Sequence, residues 1–375
     1  GDIDGSEPRR LLRDPSQARL DPSGHLLFHR NGKLLQAPFD LERGEITGEA
    51  TFVADHLYWS PNNGMIMADV SATGDLGLGS EFAEGNRTVG WLDLEGNFEE
   101  LIEIDGSLLN LHLAPGNRYA ALSRLNPGSS IEIWIADLQR QTLSILSRFG
   151  SDCWGGVFSP DGREFVYTSQ DPGFERLYRQ SIDGASAPAT LLDLKSVNSV
   201  IYSWSPDGFL LFSHRQRTHG GYEVARLDLE GGESRPLLTD FSPRAPMLSP
   251  DGRWLAYVSN ESGQDEIYVR PFPGLDQKWQ VSTGGGTEPH WREDGAQLIF
   301  FKTPWAVEGV SVLEENSGLE FSTPFPVANF SRRFVHLFPD ADHTRFLAAR
   351  DQADPVAEPI RFISNWRRMA GVGTK

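Results

Sequence analysis

Ser159-Pro160-Asp161-Gly162, Ser205-Pro206-Asp207-Gly208 and Ser249-Pro250-Asp251-Gly252 are three nearly identical four-residue stretches at almost equal intervals. Their chemistry is that of a tight turn. Proline presets φ near −65° at the second position, aspartate bonds the backbone two residues on, and glycine accepts positive φ. Weaker copies extend the series in both directions: Asp21-Pro22-Ser23-Gly24, Ser60-Pro61-Asn62-Asn63-Gly64, Ala114-Pro115-Gly116-Asn117, Arg292-Glu293-Asp294-Gly295 and Phe338-Pro339-Asp340-Ala341-Asp342. Most copies are about 45 residues apart, the length of one propeller blade.

Working outward from each turn, a β-rich run follows it: His25 to Arg30, Met65 to Val70, Tyr119 to Arg124, Glu164 to Ser169, Phe209 to His214, Trp254 to Asn260, Gln297 to Lys302 and Thr344 to Arg350. Each reads as the second strand of a unit. Third strands are clearest at Ile131 to Leu138, Tyr222 to Leu229 and Glu266 to Arg270, where apolar residues alternate with period two. Fourth strands follow at Leu143 to Arg148, Ala189 to Leu194, Ser234 to Thr239 and Lys278 to Ser282. The pattern predicts an all-β chain: a single closed β-propeller over residues 1–375 with about eight four-stranded antiparallel blades.

Closure is a separate expectation. The last unit supplies Val335 to Phe338, Thr344 to Arg350 and Pro359 to Trp366, and lacks a fourth strand. Residues 8–14, Pro8 to Asp14, resemble the other outer strands and are expected to pair with Pro359 to Trp366 in the blade spanning 335–366, leaving no open edge. Seven blades are the alternative, with Ala72 to Asn86, rich in Gly and Ser, as a degenerate insertion in the longest interval.

Composition narrows the function classes. The 375 residues include 38 Gly and 24 Pro, which suits many short strands and turns. The single cysteine, Cys153, excludes an intramolecular disulfide. No apolar run approaches the roughly 18 residues a membrane span needs, and the first thirty residues have no signal-peptide core, so the chain reads as soluble. The start at Gly1 leaves room for an upstream targeting or membrane segment. A net charge of −18 repels phosphate backbones and anionic headgroups, so nucleic acid is not an expected partner and membrane insertion is not expected. Arg367 and Arg368 beside Trp366 form too small a basic cluster to reverse this.

The stretch from Tyr257-Val258-Ser259-Asn260-Glu261-Ser262-Gly263 through Ile267-Tyr268-Val269-Arg270-Pro271-Phe272-Pro273-Gly274, then Lys278 to Gly286 and Pro289-His290-Trp291-Arg292-Glu293-Asp294-Gly295, resembles the TolB-like, WD40-like (PD40) propeller repeats. More narrowly, it is similar to the propeller regions attached to bacterial serine/threonine protein kinases and some transcriptional regulators. The resemblance extends to Gly24-His25-Leu26-Leu27-Phe28 and Ala37-Pro38-Phe39-Asp40 early and to Ile363-Ser364-Asn365-Trp366 late. It implies the sensor or scaffold part of a larger signalling protein. Its location would be extracytoplasmic if that protein is a membrane kinase, and cytoplasmic otherwise. Kinase motifs themselves are absent: there is no His-Arg-Asp, no Asp-Phe-Gly and no Gly-rich loop with a following strand lysine.

Other catalytic signatures are also missing. There is no Gly-x-Ser-x-Gly elbow, and no His-Glu-x-x-His. Gly77-Leu78-Gly79 has Phe82 where a dinucleotide fingerprint needs its third glycine, and Asp2-Ile3-Asp4-Gly5 lacks the downstream glutamate of a calcium loop. His25 and His29 share a strand face and read as packing, while Cys153, between Asp152 and Trp154, reads as a buried inert thiol.

What remains is the central channel, where a propeller brings together the leading ends of its innermost strands. Those ends carry Asp55, His56 and Tyr58; Asn110 and His112; Asp152 and Trp154; Asn198 and Tyr202; Arg244; Glu288 and His290; and Arg333 and His336. Aromatic rings beside carboxylates and imidazoles suit a protein, peptide or glycan ligand, or a solvated tunnel whose groups satisfy one another. The expectation is a monomeric, non-catalytic ligand-sensing or protein-interaction propeller that needs no cofactor. The alternative is a metal-assisted hydrolase or lyase in which Asp55, His56, Glu288, His290 and His336 hold a divalent ion.

Overall fold

The computed structural model describes residues 18–30, 33–55, 59–60, 65–66, 68–71, 75–78, 87–125, 131–147, 152–171, 174–194, 197–215, 221–315, 318–331, 334–351 and 361–363. All regular structure among them is β, in antiparallel pairs, as the sequence pattern predicts. The strands fall into two compact units, one of residues 1–84 with 355–375 and one of residues 85–354.

The smaller unit holds a sheet built on His25–Arg30 and Lys33–Asp40, flanked by Arg19–Leu20, Glu45–Ile46 and Thr51–Asp55. It also holds the hairpin Trp59–Ser60 with Met65–Ile66, and a sheet in the order Arg361–Ile363, Leu76–Leu78, Ala68–Val70. Leu27, Leu34, Ala68, Leu76 and Leu78 form its core.

The larger unit is a succession of six sheets, each carrying one copy of the turn. The first runs Ser107–Leu113, Tyr119–Leu125, Ile131–Asp137, Thr142–Ile145, and the second Asp152–Phe158, Glu164–Asp171, Phe174–Ser181, Ala189–Leu194. The third is Val197–Ser205, Phe209–Arg215, Tyr222–Asp228, Ser234–Leu238; the fourth is Arg244–Leu248, Trp254–Ser259, Glu266–Pro271, Trp279–Gln280. In the fifth, Thr287–Trp291 and Gln297–Thr303 precede the long strand Ala306–Glu315, which pairs on its far side with both Gly318–Phe321 and Phe325–Asn329. The sixth is made from both ends of the unit: Phe334–Pro339 and Arg345–Asp351 are completed by Arg87–Asp93 and Phe98–Ile104.

Beside Arg345–Asp351 the structure places Arg87–Asp93 where Pro359 to Trp366 was expected, and Arg361–Ile363 pairs with Leu76–Leu78 in the smaller unit; residues 8–14, the expected partner of Pro359 to Trp366, lie outside the described residues. The physical reason lies in Arg87–Asp93 itself. It matches Arg345–Asp351 over seven consecutive register pairs without a bulge, from Arg87 opposite Asp351 to Asp93 opposite Arg345. Val89, Leu92, Phe346 and Leu347 are fully buried there, each stabilising the pairing by roughly 2 kcal/mol. The guanidinium of Arg345 also lies 3.9 Å from the centre of the Trp91 ring.

The recurring turn follows its chemistry closely. The N–H of Gly162 donates to the carbonyl of Ser159, that of Gly252 to Ser249, that of Gly208 to Ser205 and that of Gly295 to Arg292. These glycines all have φ between 69° and 80°. Asn117 supplies the same positive φ of 58° in the first sheet, since asparagine tolerates the left-handed region. In the sixth sheet the turn begins at Asp340, with His343 at φ 55°, two residues later than the sequence repeat suggests. Ser159 Oγ accepts from the N–H groups of Arg163 and Glu164 and donates to Asp161, and Ser249 Oγ likewise accepts from Trp254 and donates to Asp251, so in these two turns the serine fixes the register of the next strand.

Neighbouring sheets pack through apolar faces, and the sixth returns to the first. Val89, Leu347 and Ala349 share one cluster with Leu108, Leu122 and Ala136, while Phe346 and Leu337 share another with Ile299 and Phe301 of the fifth sheet. At the seam, Leu108 O accepts from Arg87 Nη1 and from His336 Nε2, the latter at 2.8 Å.

Gly156 illustrates how tightly the inner strands are set. A Cβ placed there would lie 2.0 Å from the carbonyl oxygen of Val166 on the adjacent strand. Gly156→Ala should therefore lower stability by about 1–3 kcal/mol, as overpacking does, read as a lower urea midpoint with an unchanged slope. An unchanged midpoint would contradict the strand geometry described.

Candidate functional site

The innermost strands of the six sheets enclose a cavity of about 780 Å³. A bulge interrupts every one of these strands: at Leu108/Asn110, Trp154/Gly156, Val197/Val200 with Ile201/Ser203, Arg244/Met247, Thr287/His290 and Val335/Phe338. A bulge inserts an extra residue, bends the strand and re-aims side chains. In three sheets the inserted residue has positive φ without being glycine: Ala245 at 50°, Glu288 at 49° and His336 at 53°. Such backbone costs energy and collects where a side chain has to be held in one place.

Six of the residues singled out from the sequence line this cavity together: Asn110, His112, Tyr202, Glu288, His290 and His336. Three others do not. Asp152 accepts the N–H of Ile131 at 3.0 Å, and burial pushes its carboxyl upward. Trp154 has its indole N–H buried without an acceptor among the described residues. Arg244 forms an ion pair with Asp265. His56, Tyr58 and Arg333 lie outside the described residues; Asp55 and Asn198 are described only as members of their strands, Asp55 in the smaller unit.

The cavity also contains groups that the sequence reading passed over. Phe158, Met247 and Phe338 come from the ends of inner strands, and Lys302, Thr303, Pro304 and Trp305 from the turn after Gln297–Thr303. Phe158 and Phe338 precede the recurring turn in their sheets, so aligning the repeat to its inner strands would have found them. The turn at Lys302 bears no repeat signal.

His112 and His290 flank Phe338, with ring centroids 5.9 and 5.0 Å from it. Burial, with a smaller effect of nearby His336, pulls His112 down to about 4. Burial, then His343 and His112, pull His290 down to about 3. Both rings are therefore neutral at pH 7. His112 Nε2 faces the N–H of Gly156 at 3.4 Å, and an amide only donates, so Nε2 is the acceptor. Since Leu108 O only accepts, His336 Nε2 carries a proton.

Glu288 behaves differently. Solvent reaches its side chain, yet protein surrounds it, and burial raises its carboxyl above the ordinary range. Tyr202 is pushed up to about 12 by burial, with a further push from the charge of Glu288, against an opposing hydrogen bond with Ser213. Among the described residues, no group of three or more His, Cys, Asp or Glu side chains is arranged to hold a metal ion. Of the set Asp55, His56, Glu288, His290 and His336, the last three line the cavity, whereas Asp55 belongs to the smaller unit and His56 lies outside the described residues.

Residues 80–269 match the TolB beta propeller domain family, PD40. The chain belongs to this family. An uncharacterized protein of Agrobacterium fabrum is 27% identical over 147 residues, which cover 38% of this chain and 48% of that protein. The chain thus spans about half the length of this curated relative. Among solved structures, one assigned as TolB from Agrobacterium tumefaciens superposes with a TM-score of 0.54 at 16% identity, covering 72% of this chain and 99% of that one. TolB from Acinetobacter baumannii gives a TM-score of 0.45 at 13% identity, covering 90% and 79%. The likeness to the Agrobacterium tumefaciens structure concerns the propeller fold alone.

The histidines make stability depend on pH with a definite sign. A histidine whose folded pKa lies below its unfolded value of about 6.5 binds its proton more readily in the unfolded chain. Its stabilising contribution is present above pH 6.5 and lost as pH falls towards 3–4. His290→Gln should therefore shrink the loss of stability between pH 7 and 4.5 by on the order of 2 kcal/mol, measured by urea unfolding of both proteins at the two pH values. Parallel losses would contradict a half-buried imidazole held neutral in the cavity wall.

Proposed function

We propose that this PD40 propeller is a non-catalytic recognition module that takes an extended peptide segment of a partner protein into the cavity of its larger unit. We further propose that it serves as the sensing or docking part of a larger bacterial signalling protein. The observation carrying this reading is the convergence of six bulged inner strands on one cavity of about 780 Å³, with Asn110, Tyr202, Glu288 and His336 on its wall. Bulges leave ladder N–H and C=O groups without strand partners, and an extended peptide backbone complements such groups.

A peptide suits the wall better than a glycan. Sugars favour an open aromatic face, but Phe338 is flanked by His112 and His290, and Phe158 packs on Phe165 with centroids 4.8 Å apart. The indole N–H of Trp305 donates to Phe334 O at 3.0 Å, fixing that ring in place. The excess negative charge disfavours nucleic acid as the occupant.

Val200 lines the cavity and is 38% exposed, so a larger side chain there fills the space without disturbing packed core. A peptide array should yield binders that raise the melting temperature, by about 2.7 kcal/mol in stability at a hundredfold excess over Kd. Val200→Trp should abolish that shift while the unliganded protein melts as before. A binder unaffected by Val200→Trp would place recognition elsewhere.

A further inference from the structure

Resting on the recognition reading, the geometry points to an organic ammonium ion as the group this cavity accepts, seated on the carboxylate of Glu288. Among the described lining residues only Glu288 and Lys302 are formally charged side chains, histidines aside. Lys302 is engaged, its Nζ 2.9 Å from Glu308 Oε1. Glu288 has no hydrogen bond or ion pair among the described residues. Arg244, on the neighbouring inner strand, is paired with Asp265 and does not line the cavity. The cavity therefore presents one carboxylate on its wall that solvent reaches and that no protein cation pairs with among the described residues, so an entering cation meets an uncompensated negative charge partly enclosed by protein.

Glu288 sits on the bulge of its strand at φ 49°, the conformation that Ala245 and His336 share at the equivalent bulges, and lies on the cavity wall. The neighbouring imidazoles of His112 and His290 are neutral at pH 7 and bring no competing positive charge. Tyr202 and Trp305 add aromatic rings to the wall, favourable to an alkylammonium. A divalent metal is a poorer match, because it needs several oxygen or imidazole donors and no such group of three exists among the described residues. A net charge of −18 draws cations towards the protein from solution. Such an ammonium comes either from a lysine side chain of a bound peptide or from a free small amine.

The test uses the full chain and calorimetric titration with four probes: n-butylammonium, N-acetyl-Gly-Lys-Gly-amide, and the same peptide with norleucine or glutamate in place of lysine. The lysine peptide should bind at least tenfold more tightly than the norleucine peptide, and the glutamate peptide more weakly still. Glu288→Gln should reduce the lysine peptide to the norleucine level while raising the melting temperature of the free protein, which also shows that the variant folds. Binding of n-butylammonium as tight as the lysine peptide would support the assignment with a free amine as its source. Equal affinity for the lysine and norleucine peptides, affinity unaffected by Glu288→Gln, or no binding of either ammonium probe at millimolar concentration overturns it. Neutral peptides that bind and are lost in Val200→Trp would leave the recognition reading standing while the ammonium assignment falls; binding that survives Val200→Trp removes the recognition reading itself.

Discussion

The pairing of Arg87–Asp93 with Arg345–Asp351 is the constraint on which the larger unit rests. Two segments more than 250 residues apart in the chain share one sheet, and that sheet joins the fifth sheet to the first. An open succession of sheets would leave two apolar faces and two edges exposed to water. Here Val89 and Leu347 face Leu108 and Leu122 instead, and the seam is pinned by Arg87 and His336 meeting one carbonyl, that of Leu108. His336 also lines the cavity, so closure and cavity share a residue.

From closure follows the arrangement of the inner strands, and from their bulges the chemistry of the cavity. Positive φ at Ala245, Glu288 and His336 is the cost of directing residues inward from strands whose period of two would otherwise alternate them. Protein packed around the lumen then sets the charge states. Imidazoles become poor bases and the carboxylate of Glu288 a weaker acid, because burial disfavours whichever form is charged. One physical cause thus yields a wall of neutral hydrogen-bonding rings and a single carboxylate without a partner.

Much of this fold is legible in the sequence because its signals are local. Turn residues mark where strands begin: His25–Arg30 and Ala189–Leu194 have the expected limits, and Tyr119–Leu125 and Phe209–Arg215 extend one residue further. The closing strand was not legible. Arg87–Asp93 follows the Gly- and Ser-rich interval and carries no turn copy of its own, and nothing local in a strand names a partner across the chain. The cavity was legible by half for a related reason. Asn110, His112, Tyr202, Glu288, His290 and His336 could be found by counting back from the turns, whereas Asp152 and Arg244, on equivalent strands, are drawn to Ile131 and Asp265 by contacts no spacing reveals. Lys302 and Trp305 arrive from the opposite end of the second strand, outside the stretch that the repeat marks.

Hydrogen exchange of backbone amides tests closure most directly. The amides of Arg87–Asp93 should exchange as slowly as those of Arg345–Asp351, since the two strands protect each other and open together. Fast exchange across Arg87–Asp93 while Arg345–Asp351 stays protected would contradict the account, because the last sheet would then be completed by some other strand.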